Sequence, residues 1–273
     1  MLLATDIGNT ETTIGLFAGD RLEGHWRLHT TPQRTSDEWA AALTAYLTQA
    51  GRSTQEVRAA IVASVAPQVT QSLCAGVERA TTVRPVMVDG RSRLPITLDV
   101  DEPLTVGADR IVNTLAALHL FRRDTIVVDF GTATTFDCIT AEGDGERGRG
   151  GEKGVEGKFI GGVIMPGIRT ASDDLVRKTA KLPATELTPP ERVIGRRTED
   201  CIRAGVLWGA ADAVDGLVRR IKAEWPTGRT PKVVATGGLA PLVAPLSQEI
   251  EAVHPDLTLV GLRIAAGALG LSW

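Results

Sequence analysis

The sequence predicts an α/β protein built from two like domains, and three observations carry that prediction. Apolar, β-branched runs of strand length alternate with stretches of helical periodicity throughout the chain. The cluster of strand signals that opens the chain restarts after residue 122. The segment Asp6-Ile7-Gly8-Asn9-Thr10-Glu11-Thr12 also returns, at an offset of 123, as Asp129-Phe130-Gly131-Thr132-Ala133-Thr134-Thr135. Aspartate, an apolar residue, glycine and a later threonine match in both copies, which makes residues 1–122 and 123–273 two copies of one plan.

Each element follows from local pattern. Leu2 to Asp6 is an apolar strand ending at Gly8-Asn9, Thr12 to Phe17 alternates, and Ala18-Gly19-Asp20 turns the chain into a third strand, Arg21 to His29. Thr35 and Glu38 form a capping box ahead of a helix with Trp39, Leu43, Tyr46 and Leu47 on its apolar stripe, ended by Gly51. Ala59 to Val65 reads as a buried strand, Gln68 to Thr81 as a helix and Pro85 to Val88 as a strand. Gly107 to Arg122 is a helix with Ile111, Leu115 and Leu118 on one face. In the second half Thr125–Phe130, Thr134–Thr140 and Lys158–Ile164 are strands. Helices start near Ile168 and span Thr198 to Lys222, followed by a strand at Lys232–Ala235, a helix after Gly238, a short strand at Leu257–Val260 and a last helix. Both halves thus read βββ, then alternating helix and strand.

Composition excludes several classes. The 273 residues are 43% hydrophobic and 23% charged with a net charge of −3, which is neither a disordered chain nor the basic footprint of a nucleic-acid binder. No apolar run approaches the roughly 20 residues of a membrane span. Cys74, Cys138 and Cys201 are far apart, with no Cys-x-x-Cys pair, and fit reduced, mostly buried thiols in a cytoplasmic protein. Residues 141–158 hold seven glycines, five acids and four bases, too polar for a core and suited to a mobile hairpin loop. Gly143 to Gly148 inside it match Gly-x-Gly-x-x-Gly, but no apolar helix opens behind them as a dinucleotide site requires.

Two Asp-x-Gly turns at the ends of buried strands suggest phosphate chemistry. Glycine lets the backbone approach an oxyanion, and successive N–H groups then point at it. Asn9, Thr10, Thr12, Thr13, Thr132, Thr134 and Thr135 add small donors, and each aspartate is placed to hold a cation. Aspartates that merely cap hairpin turns would give the same letters at a single site; the pair favours the phosphate reading. Thr236-Gly237-Gly238-Leu239 follows a third buried strand, where glycines could pass close to a flat ligand or simply turn the chain. In Val106-Gly107-Ala108-Asp109-Arg110, Asp109 suits either a dipole partner in a first helical turn or a general base beside an anion-clamping arginine. Spacing leaves both roles open. His25 and His29 share a strand face rather than a metal site, and no Gly-x-Ser-x-Gly or His-Glu-x-x-His occurs.

With these segments in hand, the chain resembles the type III pantothenate kinases of the acetate-and-sugar-kinase, Hsp70 and actin superfamily. The resemblance runs nearly end to end, through Asp6–Thr10, Val106–Asn113, Val128–Thr135, Gly161–Ile168 and Val193–Thr198. It implies two ribonuclease-H-like domains, βββαβαβα, with an interdomain ATP cleft, and phosphorylation of pantothenate by ATP. It further implies that Asp109 is the base, that Gly107, Ala108, Arg110 and Thr198 contact pantothenate, and that Asp6, Ile7, Gly8, Asn9, Thr10, Glu11, Thr12, Thr13 and Thr132 form the ATP site. Asp129 is then the ligand of a monovalent cation, potassium or ammonium; magnesium comes with ATP, and the active unit is a homodimer with no nucleic-acid or membrane partner. Two departures bear on substrate affinity: Val100 stands where many relatives have tyrosine, and Asp89-Gly90-Arg91 where many have Gly-Pro-Gly. The rival readings are a non-catalytic regulator like the Bvg accessory factors, against which the retained aspartates argue, and a kinase for another small hydroxylated acid.

Overall fold

A computed structural model describes residues 1–142 and 156–273, so the Gly143–Gly148 match and most of the glycine-rich segment lie outside the described residues. The chain forms two compact units, Met1–His119 with Leu257–Trp273, and Leu120–Asp256.

The first unit runs β1 (Leu2–Ile7), β2 (Glu11–Ala18), β3 (Arg21–His29), α1 (Ser36–Gln49), β4 (Ala59–Ser64), α2 (Pro67–Thr81), β5 (Val86–Val88), the short β6 (Thr97–Leu98) and α3 (Ala108–Phe121). Its sheet has the order β3-β2-β1-β4-β5, with β1–β2–β3 antiparallel and β4 and β5 parallel to β1. Helix α1 starts where the capping box puts it: Thr35 N donates to Glu38 Oε2 at 2.7 Å and Glu38 N to Thr35 Oγ1 at 3.3 Å. Trp39, Leu43 and Leu47 bury its apolar stripe with Leu3, Ile7 and Leu16 of the sheet. Gly76 of α2 allows α1 to come close, because a Cβ there would sit 2.4 Å from that of Trp39.

The second unit repeats the plan: β7 (Thr125–Phe130), β8 (Ala133–Ala141), β9 (Gly157–Pro166), α4 (Ile168–Lys178), α5 (Thr198–Ala223), β10 (Lys232–Thr236), α6 (Ala240–Val243) and β11 (Ala252–Val253). The strand order β9-β8-β7-β10-β11 matches the first sheet, with the same parallel and antiparallel neighbours. Even the irregularities correspond, since the second strand of each unit shifts register against the third, at Leu16/Phe17 and between Asp137 and Ile139. Ile126, Val128 and Phe130 pack with Leu207, Ala211 and Val214 of α5 to form its core.

One expectation needs correction. Periodicity puts Leu257–Val260 in a strand. Instead these residues open helix α7 (Leu257–Ala268), which groups with the first unit. Leu259, Leu262, Ala265 and Ala266 pack with Leu2, Ala4, Ile61 and the apolar face of α3. Gly261 lets the helices touch: a Cβ there would lie 2.0 Å from Val112 O. Among the cysteines, Cys138 is buried but Cys201 is exposed, and all three are free thiols.

Candidate active site

The first glycine turn joins β1 to β2. Gly8 N donates to Glu11 O at 3.0 Å, and a Cβ on residue 8 would lie 2.8 Å from that oxygen, so the corner demands glycine. Across the ladder Asp6 pairs with Thr13 and Ile7 with Thr12. Alternation sends the two pairs to opposite faces. Ile7 enters the core with α1 and α2, and Thr12 is fully buried with its Oγ1 2.9 Å from Thr30 Oγ1. Ile7 and Thr12 therefore hold the turn from beneath, with no side-chain surface for a ligand. Asp6 and Thr13 are half-buried on the α3 side, the side of Leu2 and Ala4, while Asn9, Thr10 and Glu11 are exposed at the tip.

The second turn is one residue shorter. Asp129 pairs with Thr135, Phe130 with Thr134, and Gly131 N donates to Ala133 O at 3.0 Å. The repeat offset is thus 123 up to the glycine and 122 after it, so Thr12 corresponds to Thr134 and Thr13 to Thr135, not Thr12 to Thr135. Thr132 is exposed, and its carbonyl accepts from Thr170 Oγ1 of α4 at 2.7 Å. Asp129 is half-buried beside the end of β10, where Thr236 is its parallel neighbour. Gly237, at φ +89°, passes so close that a Cβ would lie 2.5 Å from Asp129 Oδ1 and 2.7 Å from Phe130 N. The third glycine turn thus has a structural requirement of its own.

Gly107 leads into α3, and Ile111 N closes the first turn onto its carbonyl at 3.2 Å. A Cβ on Gly107 would lie 2.5 Å from Asp109 Oδ1 and 3.5 Å from Val65 Cγ1, which places the Asp109 carboxyl near the end of β4. Burial pushes the Asp109 pKa above the ordinary carboxylate value, more than the Arg110 backbone N–H (2.8 Å from Oδ1) and the Arg110 charge pull it down. Such a group is a stronger base than a solvated aspartate. Ala108 packs into the core, Arg110 is half-buried, and further along α3 Asn113 Oδ1 accepts from Thr258 Oγ1 at 2.9 Å, tying α3 to α7. Thr198 is the exposed first residue of α5.

The sequence profile described as type III pantothenate kinase matches residues 2–151 and 153–220. The chain belongs to the type III pantothenate kinase family. Its relatives of that name include proteins from Thermomicrobium roseum, 42% identical over 265 residues (97% of this chain, 96% of that protein), and Moorella thermoacetica, 40% identical over 264 residues (97% and 98%). Among solved structures, a protein titled as a conserved Baf family transcriptional activator from Campylobacter jejuni has a TM-score of 0.56 at 17% identity, with 97% of each chain covered. The activator of the 2-hydroxyisocaproyl-CoA dehydratase from Clostridium difficile, with bound ADPNP, scores 0.54 at 12% identity, covering 99% of this chain and 93% of that one. These two establish a shared fold.

The type III pantothenate kinase motifs thus fall on strand ends and helix starts of each unit, with Asp6–Thr13 and Gly107–Arg110 in the first and Asp129, Thr132 and Thr198 in the second. Sequence reasoning missed Thr30, Gly167 and Thr170, which touch the turns from outside the motifs' hydroxyl-rich runs. Only Gly167 carried a signal, as the glycine that ends Gly161–Ile168.

Proposed function

We propose that this protein transfers the γ-phosphoryl group of ATP to the terminal hydroxyl of pantothenate, giving 4′-phosphopantothenate and ADP, the first step of coenzyme A biosynthesis. Membership of the family supports the reaction; the Asp109 carboxyl, raised in basicity by burial at the start of α3, carries the mechanism.

In phosphoryl transfer most of the catalysis is positioning and charge stabilisation. Asp109 accepts the proton of the attacking hydroxyl, so that an oxyanion rather than a neutral alcohol approaches phosphorus. The neighbouring Arg110 guanidinium suits the pantothenate carboxylate, Gly107 and Ala108 offer backbone, and Thr198 a hydroxyl. The 8–11 turn, which the Gly8 N–H closes onto Glu11 O, and Thr132 present the remaining turn N–H groups and polar side chains to the ATP phosphates, with Asp6 and Thr13 on the α3 side of the sheet; Ile7 and Thr12 support the turn. Asp129, a half-buried carboxylate beside the backbone of Gly237, suits a potassium or ammonium ion, which would offset phosphate charge. Magnesium, arriving with the nucleotide, would spread the negative charge of the transferring group.

We assign the working unit to a homodimer. Val193, Ile194 and Ile164 are 66%, 84% and 65% exposed, and Arg192 and Arg196 flank the first two around one cavity. Side chains this apolar and this exposed suit cover by a second copy. The three free thiols and the absence, among the described residues, of a helix long and apolar enough to cross a membrane accord with a cytoplasmic enzyme.

The test is ADP release by the purified protein with pantothenate and with a panel of other hydroxylated acids, in potassium and in sodium-only buffers, alongside sedimentation. Turnover with pantothenate, stimulated by potassium, from a species near twice 29.0 kDa is expected. Turnover only with another acid would overturn the substrate assignment, and nucleotide binding without turnover would favour a regulator.

A further inference from the structure

Each glycine turn is gripped by one threonine that the phosphate motifs do not include. Thr30 follows β3; its Oγ1 donates to Gly8 O at 2.8 Å, and its N–H to Thr10 O at 2.9 Å. Because the Thr30 hydroxyl proton goes to Gly8, the buried Thr12 hydroxyl is the donor in the 2.9 Å Thr12–Thr30 contact. In the second unit Thr170, in the first turn of α4, donates its Oγ1 to Thr132 O at 2.7 Å. Helix α4 reaches that close only because residue 167 is glycine, since a Cβ there would lie 2.2 Å from Thr132 O and 2.6 Å from Gly131 O.

The consequence follows from peptide planarity. In a trans peptide the C=O and the next N–H point in opposite directions. A hydroxyl that fixes the Gly8 carbonyl therefore fixes the Asn9 N–H away from Thr30, and one that fixes the Thr132 carbonyl fixes the Ala133 N–H away from α4. Each contact adds a restraint on its plane, and so lessens the ordering that a phosphate would have to impose on binding.

We propose that Thr30 and Thr170 are positioning residues for phosphoryl transfer: each hydroxyl holds one peptide plane of a glycine turn so that its N–H faces the phosphates. Neither touches substrate in this role. The proposal rests on the ATP-dependent kinase reading, and its test separates the two. Thr170 is exposed, so Thr170→Val removes the hydroxyl at nearly constant volume with little risk to folding. ATP affinity is measured by calorimetric titration without acceptor, then kcat and KM for ATP and for pantothenate with it.

Thr170→Val is expected to weaken ATP binding and lower kcat/KM for ATP by roughly fivefold to tenfold, the loss of about one hydrogen bond. KM for pantothenate and the thermal midpoint should stay put, and Thr170→Ser should restore ATP affinity. Thr30→Val should do the same to ATP binding, with a lowered thermal midpoint because Thr12 loses its buried partner. Unchanged ATP affinity in Thr170→Val, or no rescue by Thr170→Ser, would overturn the proposal. A parent protein that binds ATP but phosphorylates nothing would instead sink the kinase reading, while the binding arm would still decide the role of the two threonines.

Discussion

Two aspartates, Asp109 in the first unit and Asp124 in the second, are withdrawn from water, and their surroundings push them in opposite directions. Asp124 precedes β7 and is 1% exposed. Burial alone would raise its pKa, yet Thr227, Trp225 Nε1 (2.9 Å), Ala141 N (2.9 Å) and Arg229 (2.8 Å) all donate to it and hold it below the ordinary value. Asp109 has a backbone N–H and a neighbouring arginine, too little to offset burial, and its pKa rises. The many donors around Asp124 outweigh its desolvation, whereas the few around Asp109 leave desolvation dominant. A carboxylate saturated with donors has its charge stabilised and is poor at taking a proton; one left short of donors is destabilised and basic. Asp124 ties the segment between α5 and β10 to the end of β8, and Asp109, with fewer donors, has the basicity that the proposed role of proton acceptor requires.

The largest effect that could break this comparison is on catalysis. Asp109→Asn keeps the shape but cannot accept the hydroxyl proton, so kcat should fall by about 10²–10⁴ with ATP binding preserved. Its stability should move the other way. A carboxylate with a raised folded pKa costs stability at pH above that value, and the cost disappears below the unfolded pKa of about 3.9. Asp109→Asn should therefore be at least as stable as the parent at pH 7, with the gap closing as pH falls toward 4 in denaturant titrations. A variant that keeps its turnover, or that is clearly less stable at pH 7, would make Asp109 a structural cap instead.

Asp124 should behave in reverse. Its depressed folded pKa makes its contribution fully present above the unfolded value and lost as pH falls through the folded one. Asp124→Ala strands several donors, with Arg229 still 42% exposed and able to find water, and should cost about 3 kcal/mol. Activity per folded molecule should stay close to that of the parent. Urea unfolding at pH 7 reads the first quantity, and kcat corrected for active fraction reads the second. A large loss of kcat at unchanged stability would erase the distinction between the two aspartates.

How far the sequence could carry this depends on whether a contact is local. The capping box of α1, the hairpins and the succession of strands and helices along each half depend on neighbours in sequence, and they are legible there. Asp109 was legible as a candidate because its motif is contiguous. The one-residue difference between the glycine turns was not, since Thr12 and Thr134 are equivalent only through ladder register, which an ungapped comparison overrides. Helix α7 begins Leu257-Thr258-Leu259-Val260, letters that suit a strand equally well, and packing against α3 and β1 decides in favour of helix. Asp124 gathers donors about 17 to 105 residues away, and no local pattern announces such a site.

The smallest predicted effect tests where the reach of Asp124 ends. Ala141 is held at both backbone groups, its N–H by Asp124 and its carbonyl by Arg229 at 2.8 Å. Just beyond it Glu142 N donates to Glu156 O at 2.8 Å, which closes the base of the β8–β9 connection. Every described anchor of that connection therefore lies at or before residue 142, or at or after residue 156. The closure cost of a connection varies only slowly with the number of residues in it, so replacing residues 143–155 with Asn-Gly is expected to change stability by about 1 kcal/mol or less. That change should also add nothing to the cost of Asp124→Ala, because the two would act on separate sets of contacts. If the shortened chain instead loses as much as Asp124→Ala does, and the double change loses no more than either, then residues 143–155 and Asp124 belong to one cooperative unit. The anchoring would then extend past the base of the connection. Kinetics on the same shortened chain add an independent reading: a raised KM for ATP at unchanged stability would assign the segment to the nucleotide site.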